Sequence, residues 1–267
     1  MTVRIPLYQL DAFTDKPFGG NPAAVCPLET WLPDALMQAI AAENNLAETA
    51  FFVPDNGDFR LRWFTPVTEV KLCGHATLAT AHVILNRLDT ARDRVRFLTL
   101  SGALDVERDG DRLLLDFPAL PLTKRHDPTL VAEAIGVLPV ELWEADRGMA
   151  VLERSEQVRD LKPNFERIAA LPLETLIVTA RGFDGDCDFV SRFFAPQYGI
   201  PEDPATGSAH CVLTPYWSRT LGKTKMFARQ LSARGAELWV ELRGDRVRLS
   251  GYCVPVIEGT FEVPRSP

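Results

Sequence analysis

The chain has 267 residues, 46% hydrophobic and 24% charged, a globular composition long enough for one large domain or two ordinary ones. A net charge of −7 with scattered basic residues excludes a nucleic-acid surface; Lys124-Arg125-His126 is too short a cluster to make one. No apolar run approaches the roughly 18 residues of a spanning helix, and Pro6 and Asp11 interrupt any leader-like start, so no membrane partner and a cytoplasmic setting are expected.

In chain order, Ile5–Phe13 reads as a strand and Phe18-Gly19-Gly20-Asn21-Pro22 as a loop, after which Ala23-Ala24-Val25 is extended. Pro33–Glu43 has helical spacing with Pro33 near its start. Glu48–Val53 and Phe59–Phe64 are strands around an Asp55-Asn56-Gly57-Asp58 turn. A helix follows from Ala76 to about Leu88, then strands at Arg94–Leu100, Gly102–Arg108 and Arg112–Phe117. Pro118–Pro121 reads as the crossover to a second half. There, helices are expected near Pro128–Ile135, Phe165–Ala170 and from the Thr206-Gly207-Ser208 segment to about Leu221. Strands are expected near Leu142–Ala145, Met149–Val151, Thr175–Thr179, Phe189–Phe194, Leu231–Ala233, Glu237–Arg243 and Val247–Val256. About two helices against five or six strands in each half indicate an α+β fold, not an alternating nucleotide-binding sheet.

Two segments match across the halves. Leu72-Cys73-Gly74-His75-Ala76-Thr77 and Glu202-Asp203-Pro204-Ala205-Thr206-Gly207-Ser208-Ala209-His210 each run into an apolar helix, with Gly74 and Gly207 half a chain length apart. Unpaired N–H groups at a helix start carry partial positive charge, and two such starts facing one cleft would hold a small carboxylate without a metal. Glu48, His75 and Asp203 supply an acid/base set suited to removing a proton from carbon. Each has a plainer reading: a solvated strand residue, a helix residue packing its ring, and a turn former.

Other chemistries lack their motifs. No G-x-G-x-x-G, Walker A loop, H-E-x-x-H or G-x-S-x-G occurs, so no nucleotide cofactor, metal or serine nucleophile is expected. The five cysteines, Cys26, Cys73, Cys187, Cys211 and Cys253, are odd in number and form no C-x-x-C, so no disulfide framework is indicated. Cys73 leaves open a cysteine-dependent amino-acid epimerase or racemase, and a non-enzymatic small-acid-binding protein is a third reading.

Phe18–Val25, Asn45-Leu46-Ala47-Glu48-Thr49-Ala50-Phe51, Arg62-Trp63-Phe64-Thr65-Pro66, the two matching segments and Gln230-Leu231-Ser232-Ala233-Arg234-Gly235 together resemble the PhzF-like phenazine-biosynthesis isomerase family. The resemblance implies the diaminopimelate epimerase-like fold. Two pseudo-symmetric domains, 1–118 and 119–253, would each wrap a curled, mostly antiparallel sheet around a central helix. The tail, about 254–267, would return to the first domain's sheet, and the site would lie between the domains. It also implies a cofactor-independent isomerase, a homodimer, and a small carboxylic or amino acid as substrate; in the phenazine pathway this is trans-2,3-dihydro-3-hydroxyanthranilate. By this resemblance Glu48 is the principal acid/base, assisted by His75 and Asp203. Asn21, Gly74, Ala76, Thr206, Gly207 and Ser208 bind substrate. Lys71, Ala236 and Cys253 depart from the family pattern without touching the acid/base set.

Overall fold

The computed structural model describes residues 2–125, 127–144, 147–183 and 185–264. His126 of the basic cluster, Ala145 of an expected strand and residues 265–267 of the tail lie outside the described residues. The chain forms two compact units, one running to Asp116 and resuming at Ser250, the other spanning Phe117–Leu249.

The first unit contains β1 (Thr2–Ala12), β2 (Asn21–Pro27), α1 (Asp34–Asn44), β3 (Glu48–Asp55), β4 (Asp58–Phe64), β5 (Glu69–Val70), α2 (Gly74–Val83), β6 (Arg94–Thr99), β7 (Gly102–Asp109) and β8 (Arg112–Pro118). The chain's last strand, Cys253–Pro264, pairs antiparallel with β1 from Thr2↔Pro264 to Ala12↔Cys253. Across the sheet, β1–β2 is antiparallel, β2–β3 parallel, β3–β4 antiparallel, β4–β6 parallel and β6–β7 antiparallel. The β3–β4 hairpin closes on Asn56-Gly57, both at positive φ (52° and 93°), as a two-residue turn matched to strand twist requires. Helix α2 connects the parallel pair β4/β6 and buries eight of its ten residues. A helix apolar on every side has to be a core element, and its Ala- and Thr-rich sequence lets strands approach it closely. It continues into a π-helical turn at Ile84–Leu88.

The second unit contains β9 (Thr123–Arg125), α3 (Thr129–Ile135), β10 (Glu141–Glu144), β11 (Gly148–Val151), α4 (Ser155–Arg159), α5 (Phe165–Ala169), β12 (Leu176–Arg181), β13 (Phe189–Phe194), α6 (Gly207–Leu221), β14 (Lys225–Gln230), β15 (Ala236–Arg243) and β16 (Arg246–Gly251). The last strand is therefore β17. Here β9–β10 and β10–β11 are antiparallel, β11–β12 parallel, β12–β13 antiparallel, β13–β14 parallel and β14–β15 antiparallel. This is the order of pairings that runs from β17–β1 to β6–β7 in the first unit, and α6 bridges β13/β14 as α2 bridges β4/β6. The chain is thus an internally repeated α+β fold.

The pairings in each unit are mostly antiparallel, as expected, and the two parallel pairs fall where crossovers carrying helices return the chain in the same direction. Other local expectations are corrected. The second unit has four helices among its described residues; α4 was not anticipated. Leu231–Ala233 is not a strand: the strand is β14, and the chain then turns with Gly235 at φ 66° and the Ser232 hydroxyl accepting from the Gly235 N–H. The expected strand Val247–Val256 is two strands, β16 and β17, divided at Tyr252.

Helix α6 carries Pro215 in its interior, which removes the N–H that would bond to the Cys211 carbonyl. The Leu120 N–H replaces it at 3.0 Å, so the carbonyl stays satisfied. One turn earlier, the fully buried His210 ring bonds through Nδ1 to the Thr206 carbonyl at 2.9 Å and packs on Phe189. Burial pushes its pKa down to about 4, so the ring is neutral at pH 7.

This yields a signed pH dependence. A histidine whose folded pKa (about 4) lies below its ordinary value of 6.5 stabilises fully above pH 6.5 and loses that contribution as pH falls toward 4. The loss attributable to His210 is about 3 kcal/mol at about 1.4 kcal/mol per pH unit. Urea unfolding at pH 7 and pH 4 is expected to show a shallower decline for His210→Asn than for the native chain. Equal slopes would contradict the assignment.

Candidate active site

In the first unit, three elements deliver polar side chains to one buried point. Helix α1 ends on Asn45 in the left-handed conformation (φ 50°, ψ 35°), its N–H bonded to the Ala41 carbonyl. That cap turns the chain sharply into β3, so Glu48 becomes its first residue, opposite Ala23 of the parallel β2. The Asn44 amide fastens the corner by donating to the Thr49 hydroxyl at 2.9 Å. Asn21 opens β2. It follows a tight loop in which the buried Asp11 carboxylate accepts from the Phe18 N–H at 2.7 Å. Gly20 in that loop holds φ 56°, where an added Cβ would lie 2.1 Å from the Ala12 carbonyl oxygen. Cys73 and His75 come from the start of α2.

The four side chains form one network. His75 Nε2 lies 3.1 Å from Glu48 Oε2, with side chains 7% and 14% exposed. The contact is an ion pair whose alignment falls short of a hydrogen bond. The Asn21 amide lies 3.2 Å from Nδ1 on the other side of the ring. The Cys73 sulfur sits 3.5 Å from Nδ1 and 3.9 Å from Nε2. Burial opposes a charged ring, but the contacts with Cys73, whose sulfur can accept from the ring, and with the Glu48 carboxylate outweigh it and hold the His75 pKa well above the imidazole range. Burial and then the Glu48 charge push the Cys73 thiol up to about 11, partly offset by His75. Cys73 is therefore a neutral thiol at pH 7. Among the described residues, Glu48, Cys73 and His75 form the group with metal-ligand geometry, their donor atoms all within 4.8 Å of one another. Gly74 and Ala76 belong to the first turn of α2, and Cys73, its N-cap, makes no side-chain capping bond.

The second unit gathers Asp203, Thr206, Gly207 and Ser208 around the start of α6. The Thr206 hydroxyl donates to the Asp203 carboxylate and accepts from the Gln230 amide at 3.1 Å, not from an N–H of its own helix, so α6 also lacks a side-chain cap. Gln230, fully buried at the end of β14, locks this segment: its Oε1 accepts from the Thr206 N–H at 2.8 Å and its Nε2 donates to the Asp203 carbonyl at 2.7 Å. The Ser232 hydroxyl donates to the Pro204 carbonyl at 2.8 Å. Upstream, the buried Arg192 grips Glu202 through two bonds of 2.7 and 2.8 Å and donates to the Leu161 carbonyl. Arg147 places a cation beside Ser208, its guanidinium donating to Ser208 Oγ at 2.9 Å.

Sequence reasoning missed Arg147, Gln230 and Arg192. Gln230 opens one of the segments that carry the family resemblance, and that position was its signal. Arg147 and Arg192 carried none, since an arginine near or within a strand is ordinary. Asn21, Glu48 and His75 do come together in the first unit, and Asp203, Thr206, Gly207 and Ser208 in the second.

A family profile described as phenazine biosynthesis-like protein, PhzC-PhzF, matches residues 10–259. An uncharacterised isomerase of Pseudomonas aeruginosa is 49% identical over 262 residues, 98% of this chain and 100% of the relative. The crystal structure of a PhzF-family phenazine biosynthesis protein from Enterococcus faecalis superposes with a TM-score of 0.95 at 42% identity, covering 98% of this chain and all of that one. A hydroxyproline epimerase from Agrobacterium vitis, 10% identical with a TM-score of 0.63 over 97% of this chain and 93% of its own, shares the fold alone. With its diaminopimelate epimerase-like fold and its motifs in place, the chain belongs to the PhzC-PhzF phenazine biosynthesis-like family.

Proposed function

We propose that this protein is a cofactor-independent isomerase that moves a proton between carbons of a small carboxylic or amino acid. One observation carries the reading: a glutamate and a histidine are buried together at 3.1 Å beside a thiol. Burying such a pair contributes little stability compared with apolar packing, so its presence points to chemistry. The family's isomerase-named relatives support the same class. In this reading the Glu48 carboxylate takes a proton from carbon, the C–H electron pair moves into the adjacent unsaturated system, and the proton returns to a different carbon. The His75 imidazolium balances the charge on Glu48 before the transfer.

Glu48, not Cys73, is assigned as the base because the thiol keeps its proton at neutral pH. That weighs against the cysteine-dependent racemase. Asp203 assists the proton transfer, and Asn21 with the first turn of α2 at Gly74 and Ala76 contributes to substrate binding. In the second unit Ser208, Arg147 and the α6 start at Thr206 and Gly207 suit a carboxylate, through charge-assisted donation. The family resemblance adds the expectation of a cytoplasmic homodimer. Its pathway makes trans-2,3-dihydro-3-hydroxyanthranilate the first acid to test.

Deuterium incorporation from D₂O, screened over cyclic and amino acids, is expected to find an exchanging substrate. Glu48→Gln should then lower kcat by about a hundred- to ten-thousandfold. Full turnover in that variant would overturn the proposal. Arg147→Met should raise KM by about tenfold or more with little change in kcat, the signature of lost ground-state binding to a charged partner. An unchanged KM would remove Arg147 from the site. A ring-nitrogen NMR titration should find His75 still protonated at pH 7, with its stabilising contribution complete below pH 6.5 and lost only as pH rises through its raised pKa. A midpoint at or below 6.5 would refute that ion pair.

A further inference from the structure

We propose that Glu48, Cys73 and His75 form a binding site for a thiophilic divalent cation of the zinc type, occupied in competition with the proton transfer. The donors are a carboxylate oxygen, a thiol sulfur and an imidazole nitrogen, each a donor type that zinc takes, and three protein ligands leave a fourth tetrahedral position open. With Zn–N and Zn–O near 2.0–2.1 Å and Zn–S near 2.3 Å, a tetrahedral ion needs donor-to-donor edges of roughly 3.3 to 3.7 Å. His75 Nε2 stands 3.1 Å from Glu48 Oε2 and 3.9 Å from the Cys73 sulfur, and all the donor atoms lie within 4.8 Å of one another. The two edges that meet at Nε2 lie within a few tenths of an ångström of the required values, and the Glu48–Cys73 edge closes from within 4.8 Å by side-chain rotation.

The support around the donors fits as well. Cys73 and His75 sit on the same rigid helix start, and Glu48 is fixed by the parallel β2/β3 register. The ring's contacts, with Asn21, Cys73 and Glu48, all come from the unit that contains the ligands. Binding is balanced by release of the thiol proton and the imidazolium proton to solvent, and the ion takes the place of the Glu48–His75 ion pair.

Binding itself does not depend on the proposed reaction; only the inhibition does, because the ion would sequester the assigned base. The test uses the full chain, stripped of metal by a chelator, and the ions themselves. Co²⁺ is expected to give a thiolate-to-metal charge-transfer band at one ion per chain, and Zn²⁺ to displace it. Cys73→Ser should abolish the band, while Cys187→Ser and Cys253→Ser retain it. Zn²⁺ affinity, read by calorimetry, should fall by about tenfold or more in both Glu48→Gln and His75→Asn, which keeps the test decisive should Cys73→Ser fold poorly. No band in the native chain, or a band and affinity indifferent to all three substitutions, would overturn the site. A band without D₂O exchange into any acid would leave the site standing and remove the isomerase reading.

Discussion

The structure is organised around the cost of burying an ionised pair. Glu48 and His75 lie 3.1 Å apart in a setting that solvates neither, and a buried charge is tolerable only when its partner is held in place. Everything near the pair has that effect. The left-handed Asn45 ends α1 one short step before β3, the Asn44–Thr49 bond closes the corner, and the parallel β2/β3 register sets Glu48 near Asn21. The tight loop at Gly20 admits no side chain. The constraint explains a cluster of residues that packing alone would not select.

The two units set one topology around different side chains. Both send a helix across a parallel strand pair and start it on a glycine, Gly74 or Gly207, without a side-chain cap. The first unit surrounds its helix start with titratable groups. The second surrounds its own with groups that hold geometry: Gln230 pins both ends of the Asp203–Thr206 turn, Arg192 grips Glu202, and Arg147 reaches Ser208. Repetition supplied two equivalent scaffolds, and side-chain substitution on them separated proton chemistry from anion binding in the proposed function.

How much of this was legible without coordinates varies by element. Helix α6 and the β3–β4 hairpin were readable because their signals are local: a Gly-Ser start, an apolar run, an Asn-Gly turn. The π-helical end of α2 and the five-residue α4 were not, since a one-residue shift in a helical ladder and a single helical turn leave no periodicity to read. Strand β14 was missed and its turn read as strand because Leu231–Ala233 has β propensity, while the Ser232 hydroxyl and Gly235 bend it. Pro215 argued locally against a continuous α6; the helix persists because Leu120, distant in sequence, bonds to the carbonyl the proline leaves without a donor.

By itself the sequence determined the fold class, the repeat and the family, and it singled out Glu48, His75, Asp203 and Ser208 as candidates, because these rest on short motifs and periodicities that the chain carries wherever it folds. Tertiary structure alone decided the Glu48–His75–Cys73–Asn21 contacts, the protonation they impose, and the parts played by Arg147, Gln230 and Arg192. Those depend on burial and on distances between residues far apart in the chain, and electrostatic strength in a protein follows separation and solvent exclusion, which no linear pattern encodes.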